Sequence, residues 1–255
     1  MNLSFDSTLI KKYSSNSQKA RILTEAWVLN QIYCPSCGNS IHEYTNNKPV
    51  ADFYCKKCKE DFELKSKSGK ITNKISAGSY SKMIERIKSE QKPNFFFMEY
   101  LVKLLNVRDF FVVPKHFIIS EMVEARKPLS NNAIRSGWVG SNILFSKIPL
   151  AGQIYYVENS LIIPKVQVLE KWQKTVFLKN VNDNNLKGWI LDIMNCIDTL
   201  KSQVFNLDDL YHFESELKIL HPENNHIKDK IRQQLQFLRD KNYLEFLGNG
   251  RYKLK

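Results

Sequence analysis

Four of the chain's five cysteines fall into two Cys-x-x-Cys pairs, Cys34-Pro-Ser-Cys37 and Cys55-Lys-Lys-Cys58, with 17 residues between them. Two thiolates two residues apart bite one side of a tetrahedral Zn²⁺, and two such knuckles close the site with no open position. The spacing therefore predicts a structural zinc that ties two stretches of backbone together. Gly38, directly after the first pair, permits the tight turn a knuckle needs. A redox role fits poorly with two such motifs so close together. Cys196 stands apart and reads as a core residue.

The second knuckle interrupts the run PVADFYCKKCKEDFELK, which reads as two short strands, 49–55 and 60–66. Side chains alternate faces along a strand. Asp52 then shares a face with Val50 and Tyr54, and Asp61, Glu63 and Lys65 share one on the second strand, with Phe62 and Leu64 turned to the core. With the knuckle turning the chain, two carboxylates and a lysine converge on one exposed patch of a sheet. Hard Mg²⁺ takes carboxylate oxygens together with substrate phosphate and water. A lysine beside it can position the attacking water and offset charge. The tripeptide Glu-x-Lys is weak alone, since it recurs at Glu90 and Glu216. Glu90 precedes a proline-bounded break and Glu216 lies on a predicted helix, so only Glu63 sits on an alternating strand with an acid upstream. A solvated, charged hairpin face remains the alternative.

Around this hairpin, residues 16 to 32 read as a helix with Ala20, Leu23, Trp27 and Ile32 at helical spacing. Phe95–Met98 and Phe110–Val113 read as buried strands, bounded by Pro93 and Pro114. From 120 to 165 the pattern is irregular, with Gln153–Val157 as a strand candidate. The Asn-rich run 178–188 reads as a linker. Beyond it come a helix through Trp189, Ile193, Ile197 and Leu200, a second over Leu207–Leu220 behind a capping Asn206, and a third over 225–241. YLEFL, the turn GNG and RYKLK then form a hairpin. Three helices and a hairpin are the element order of a winged helix.

The chain carries 38 Lys and Arg against 26 Asp and Glu, a net charge of +12 that suits a partner rich in phosphate. Its longest hydrophobic stretches fall far below the ~18 residues that span a bilayer. The start, MNLSFDSTLIKKY, has no apolar core of signal-peptide length. A cytoplasmic protein without a membrane partner is expected, and free thiols rather than disulfides suit that compartment.

The segments YSSNSQKARILTEAWV, YCPSCGN, PVADFYC, FELKSKSG, QKPNFFF, RKPL, the Gly137-Trp138 pair and NNHIKDKIRQQLQFLRDK together resemble the DpnI family of restriction endonucleases over nearly the whole chain. The resemblance implies a fold of α/β class. Residues 1–183 would be a PD-(D/E)xK nuclease core with an inserted zinc knuckle, and 184–255 a C-terminal winged-helix domain. It implies Mg²⁺-dependent double-strand cleavage at GATC carrying N6-methyladenine, with both domains reading the methylated site. Asp52, Glu63 and Lys65 fall on its catalytic motif, with Asp52, Glu63 and the Leu64 backbone carbonyl as the magnesium set. Cys34, Cys37, Cys55 and Cys58 fall on its zinc motif. Pro49 is not adjacent to Asp52, a departure at a residue with no chemical role. Glu25, on the preceding helix, is a further acid such nucleases carry near the metal, or an exposed helix carboxylate. The protein is expected to act as a monomer on double-stranded DNA.

The last domain is polarised. Residues 187–223 hold three Lys against seven acids, and 224–255 hold eight Lys and Arg against three acids. With Ile227, Ile231, Leu235 and Leu238 as the buried stripe, Asn225, Arg232, Gln233 and Gln236 face outward. Amides to adenine and arginine to guanine are the usual major-groove pairings. Lys228, Lys230 and Arg251 are the expected phosphate contacts. A methyl on adenine favours an apolar or aromatic pocket. Trp138, with Arg135 nearby and glycines on either side, is the candidate in the first domain. Two other readings stay open: a zinc-containing winged-helix DNA-binding regulator without catalysis, and a PD-(D/E)xK nuclease of other specificity.

Overall fold

The computed structural model describes residues 1–44, 51–89 and 91–255. It divides into two compact units, Met1–Ser146 with Ala151–Thr175, and Lys147–Leu150 with Val176–Lys255. Val50, Pro49 and Glu90 lie outside the described residues.

The first unit opens with helix α1, Asn16–Gln31. Strands β1 (His42–Glu43), β2 (Phe53–Tyr54), β3 (Asp61–Ser68) and β4 (Lys74–Ser79) follow, then helix α2 (Tyr80–Lys88). Next come β5 (Asn94–Leu101), β6 (Asn106–Val113), β7 (Val123–Ala125), β8 (Gly140–Leu144), β9 (Ile154–Glu158), β10 (Leu161–Ile162) and helix α3 (Lys165–Thr175). A seven-stranded mixed sheet runs β1-β2-β3-β5-β6-β9-β10, and a small antiparallel one β4-β8-β7. Among the described residues, β3 and β5 alone pair in parallel.

The core is aromatic. Phe62 stacks on Phe96 at 4.6 Å, Phe96 meets Phe110 at 5.2 Å, and Trp27 of α1 meets Phe110 edge-on at 5.3 Å. On β5, Phe95, Phe96, Phe97 and Met98 are all buried, the continuous apolar run of a strand covered on both faces. Glu63 and Lys65, one residue out of phase with Phe62, emerge on the other side of β3.

The second unit holds α4 (Asn184–Leu200), β11 (Val204–Asn206), α5 (Leu207–Tyr211), α6 (Glu214–Leu220), α7 (Ile227–Asp240), β12 (Leu244–Gly248) and β13 (Arg251–Leu254). The wing turn needs its glycines: Gly248, Asn249 and Gly250 have φ of +87°, +48° and +71°. β11 adds a third strand beside the predicted hairpin.

Three expectations are corrected. The run 178–188 is mostly helical: Asp183 caps α4 by accepting from the backbone N–H groups of Asn185 and Leu186, so the Asn-rich stretch starts a helix. The second C-terminal helix breaks at His212–Phe213 into α5 and α6, with Asn206 and Asp209 forming a capping box. The strand predicted at 49–55 is ordered as strand only over Phe53–Tyr54 among the described residues. No helix among the described residues is long and apolar enough to cross a membrane.

Candidate active site and metal centre

The two knuckles meet. The Sγ atoms of Cys34, Cys37, Cys55 and Cys58 all lie within 4.8 Å of one another. Cys34 approaches Cys58, and Cys37 approaches Cys55, at 3.4 Å each, with no disulfide among them. A tetrahedral Zn–S site with bonds of about 2.3 Å has sulfurs about 3.8 Å apart, so four soft thiolates at these separations fit zinc. Local backbone builds each half alike. Gly38 N–H donates to the Cys34 carbonyl and Lys59 N–H to the Cys55 carbonyl. Both residues after the pairs are left-handed, Gly38 at φ +71° and Lys59 at +60°. Burial pushes the Cys34 thiol up. It pushes Cys37 the same way, but hydrogen bonds from the Asn39 backbone and side chain, together with those of Cys55 and Cys58, outweigh it and hold Cys37 at about 7.

The second knuckle is the turn between Asp52 and Glu63. Asp52 N–H donates to the Phe62 carbonyl, and the Asp52 carboxylate accepts the Leu64 N–H at 2.7 Å, which fixes it against β3. Lys65 Nζ pairs with Glu63 Oε1, and Arg86 of α2 pairs with Glu63 Oε2. The patch is recessed rather than exposed, a correction to the sequence expectation: the Glu63 and Lys65 side chains are 12% and 16% accessible. Leu64 is half-buried, not a core residue. Burial raises the Asp52 carboxyl, and the Glu63 charge adds to it, against the Leu64 N–H, Lys65 and Arg21. Glu25 is half-buried and bonded to Arg21 at 2.8 Å, so it is not an exposed helix carboxylate. Burial raises it too, with a smaller contribution from the charge of Asp52. Asp61 leaves this group, accepting the Tyr44 hydroxyl at 2.7 Å.

Arg86 is the residue that sequence reading passed over. It follows Lys65 by 21 positions and belongs to no motif. The only signal was Met83 and Ile87, buried four apart on α2, which mark a helix docked beside the strand.

Two family models account for the chain: that of the Dam-replacing family, DpnI, matches residues 1–181, and that of the Dam-replacing HTH domain matches residues 185–254. The chain belongs to the DpnI family. Membership supports a restriction nuclease, and the helix-turn-helix domain supports DNA as its partner. Cys196 is buried in α4.

In the DpnI helix-turn-helix unit, Ile227, Ile231, Leu235 and Leu238 are buried while Lys228, Arg232, Gln233 and Gln236 are exposed on α7. Lys230 is half-buried, its ammonium 5.9 Å from the Trp189 ring. Arg232 is engaged on two sides, by Asp229 and by the Tyr211 hydroxyl at 2.6 Å. Asn225 lies before the helix and accepts from Lys218 at 2.9 Å. Arg251 is exposed on the wing. In the first unit, Arg135 is exposed and Trp138 half-buried at the base of a loop between β7 and β8. Gly137 is left-handed at φ +75° with open space around it. The room over Gly140, however, is filled by the Trp138 ring, 2.8 Å from where a Cβ would stand. That glycine serves the packing of the tryptophan, not close approach of a partner.

Proposed function

We propose that this protein is a methyl-directed type II restriction endonuclease. In this reading it acts as a monomer in the cytoplasm and makes Mg²⁺-dependent double-strand breaks at GATC carrying N6-methyladenine. Residues 1–183 form the nuclease domain and 184–255 the winged-helix domain. The observation that carries the reading is Lys65 on Glu63 beside an Asp52 carboxylate tied to the Leu64 N–H.

The donor set suits the ion. Asp52, Glu63 and the Leu64 carbonyl are hard oxygen donors of the kind Mg²⁺ takes, in contrast to the soft thiolates of the zinc cluster. When bound, Mg²⁺ lowers the pKa of a water and offsets charge building on the phosphate. Lys65 orients the attacking water and adds positive charge where the phosphodiester is cut. Lys228, Lys230 and Arg251 hold phosphates, and Arg232, Gln233, Gln236 and Asn225 read base edges. Arg135 and Trp138 read the site from the nuclease domain, the tryptophan offering its face to the methyl group.

Lys65→Ala tests this reading against a DNA-binding regulator without catalysis. A methylated GATC duplex should be bound with near-normal affinity and cleaved about 10² to 10⁴-fold more slowly. Unchanged cleavage by the variant would remove Lys65 from the chemistry, and no cleavage by the wild-type chain would favour the regulator.

A further inference from the structure

We infer that Arg86 is a further positioning residue of the reaction centre, holding Glu63 in the orientation the metal-binding carboxylate needs. The inference rests on the metal-site reading above. Glu63 has two carboxylate oxygens, and each has its own cation: Lys65 on Oε1 and Arg86 on Oε2. Lys65 and Glu63 are neighbours on one face of β3, so their pairing alone leaves the carboxylate free to swing about the strand. Arg86 comes from a different element and fixes the second oxygen from across the site.

Its backbone is anchored. Met83 and Ile87 on either side of it are buried, and the Ser89 hydroxyl donates to the Arg86 carbonyl at 2.8 Å. Its guanidinium is a planar fork whose donors are set in direction, where a lysine offers a point charge on a flexible stem. The Arg86 side chain is 24% accessible and that of Glu63 12%, so solvent screens this pair less than a surface pair. Charge balance points the same way. Asp52 and Glu63 carry two negative charges, and Lys65 and Arg86 two positive ones. A phosphodiester anion therefore meets a centre that does not repel it, which two bare carboxylates would.

α2 also packs beside β4 and β7, the small sheet from which the Trp138 loop springs. The helix whose Arg86 holds Glu63 thus also packs beside the sheet that carries the candidate base-reading loop.

The test uses the full zinc-loaded chain with Arg86→Ala, Arg86→Lys, Glu63→Gln, the Arg86→Ala/Glu63→Gln double variant and Asp52→Asn. At saturating Mg²⁺ and methylated duplex, Arg86→Ala should cleave about a hundredfold more slowly in single turnover, the cost of a misplaced catalytic group. Duplex affinity measured with non-cleaving Ca²⁺ should change less than about threefold, since distant phosphate contacts supply most of it. Arg86→Lys should recover part of the rate, and guanidinium at sub-denaturing concentration should accelerate Arg86→Ala but not the wild type. The melting losses of Arg86→Ala and Glu63→Gln should be non-additive, as for two groups in one ion pair. A normal rate, a parallel loss of DNA affinity, a loss that neither lysine nor guanidinium repairs, or additive melting losses would each overturn the inference. Asp52→Asn separates the two readings. If it cleaves normally, the metal site itself is wrong; if it is inert while Arg86→Ala is active, only the role of Arg86 fails.

Discussion

Burial pushes the Asp52 carboxyl above its ordinary value and the neighbouring Glu63 charge adds to it, against the Leu64 N–H and the charges of Lys65 and Arg21. A raised folded value means the protonated form is favoured by folding. Its stabilising contribution is present below the ordinary value and lost as pH rises through the folded one. At neutral pH the charged carboxylate is therefore a cost to stability. Asp52→Asn should melt higher than wild type at pH 7.5, with the difference shrinking in acid, while cleavage falls about a thousandfold, the scale of several kcal/mol of charge stabilisation. A variant that melts lower at neutral pH would contradict the electrostatic account. Alternation along β3 made Glu63 and Lys65 visible in the sequence, because a period of two is a local property. Arg86 was not visible, since its pairing depends on how α2 docks.

At the scale of elements, a zinc ion held by the four cysteines would act on the hairpin. The second knuckle is the turn between β2 and β3, and the first comes from the segment after α1, so one ion would pin both to the strand bearing Glu63 and Lys65. Four thiolates brought together only in the folded chain make zinc binding a folding energy, at least on the scale of a disulfide, about 2 to 5 kcal/mol. Stripping zinc with a strong chelator should lower Tm by roughly 2 to 4 °C for each of those kcal/mol. Cleavage should be lost even after Mg²⁺ is restored in excess; full activity in zinc-free protein would contradict this.

The adjoining strands carry a second charge pair. Glu99 of β5 faces Asp109 of β6, both buried. Burial raises Glu99 and the Asp109 charge adds to it, while Glu99 accepts the Ile71 N–H at 2.6 Å. By the same sign rule, its contribution is present below the ordinary 4.5 and lost as pH rises through the raised value. Glu99→Gln keeps an acceptor for Ile71 and removes the repulsion, so it should raise Tm at pH 7.5 and have no effect well below pH 4.5. β5 and β6 themselves were legible as apolar runs. The small sheet of β4, β7 and β8 was not, because KISAGS and VEA lack both long alternation and β-branched density. The body of α4 was legible from Trp189, Ile193, Ile197 and Leu200, but its first turn read as a linker because of its Asn residues, which Asp183 caps.

For the molecule as a whole, the parts were easier to read than their joints. The four-cysteine cluster, the aromatic strands and the run of helices before a wing each announce themselves by spacing. β11 was missed because three residues carry no periodicity. The polarised charge of the winged helix was legible, but the commitment of Arg232 to Asp229 and Tyr211 was not, since that contact belongs to the folded helix pair. The central claim joins all of these: one basic chain that recognises adenine-methylated GATC and cuts it with Mg²⁺. Its most direct test is a digest of one plasmid prepared from adenine-methylating and non-methylating hosts, each with Mg²⁺ and with excess EDTA. The account predicts discrete GATC fragments only from the methylated plasmid and only with Mg²⁺. Equal cutting of both plasmids, or no cutting of either, would contradict it.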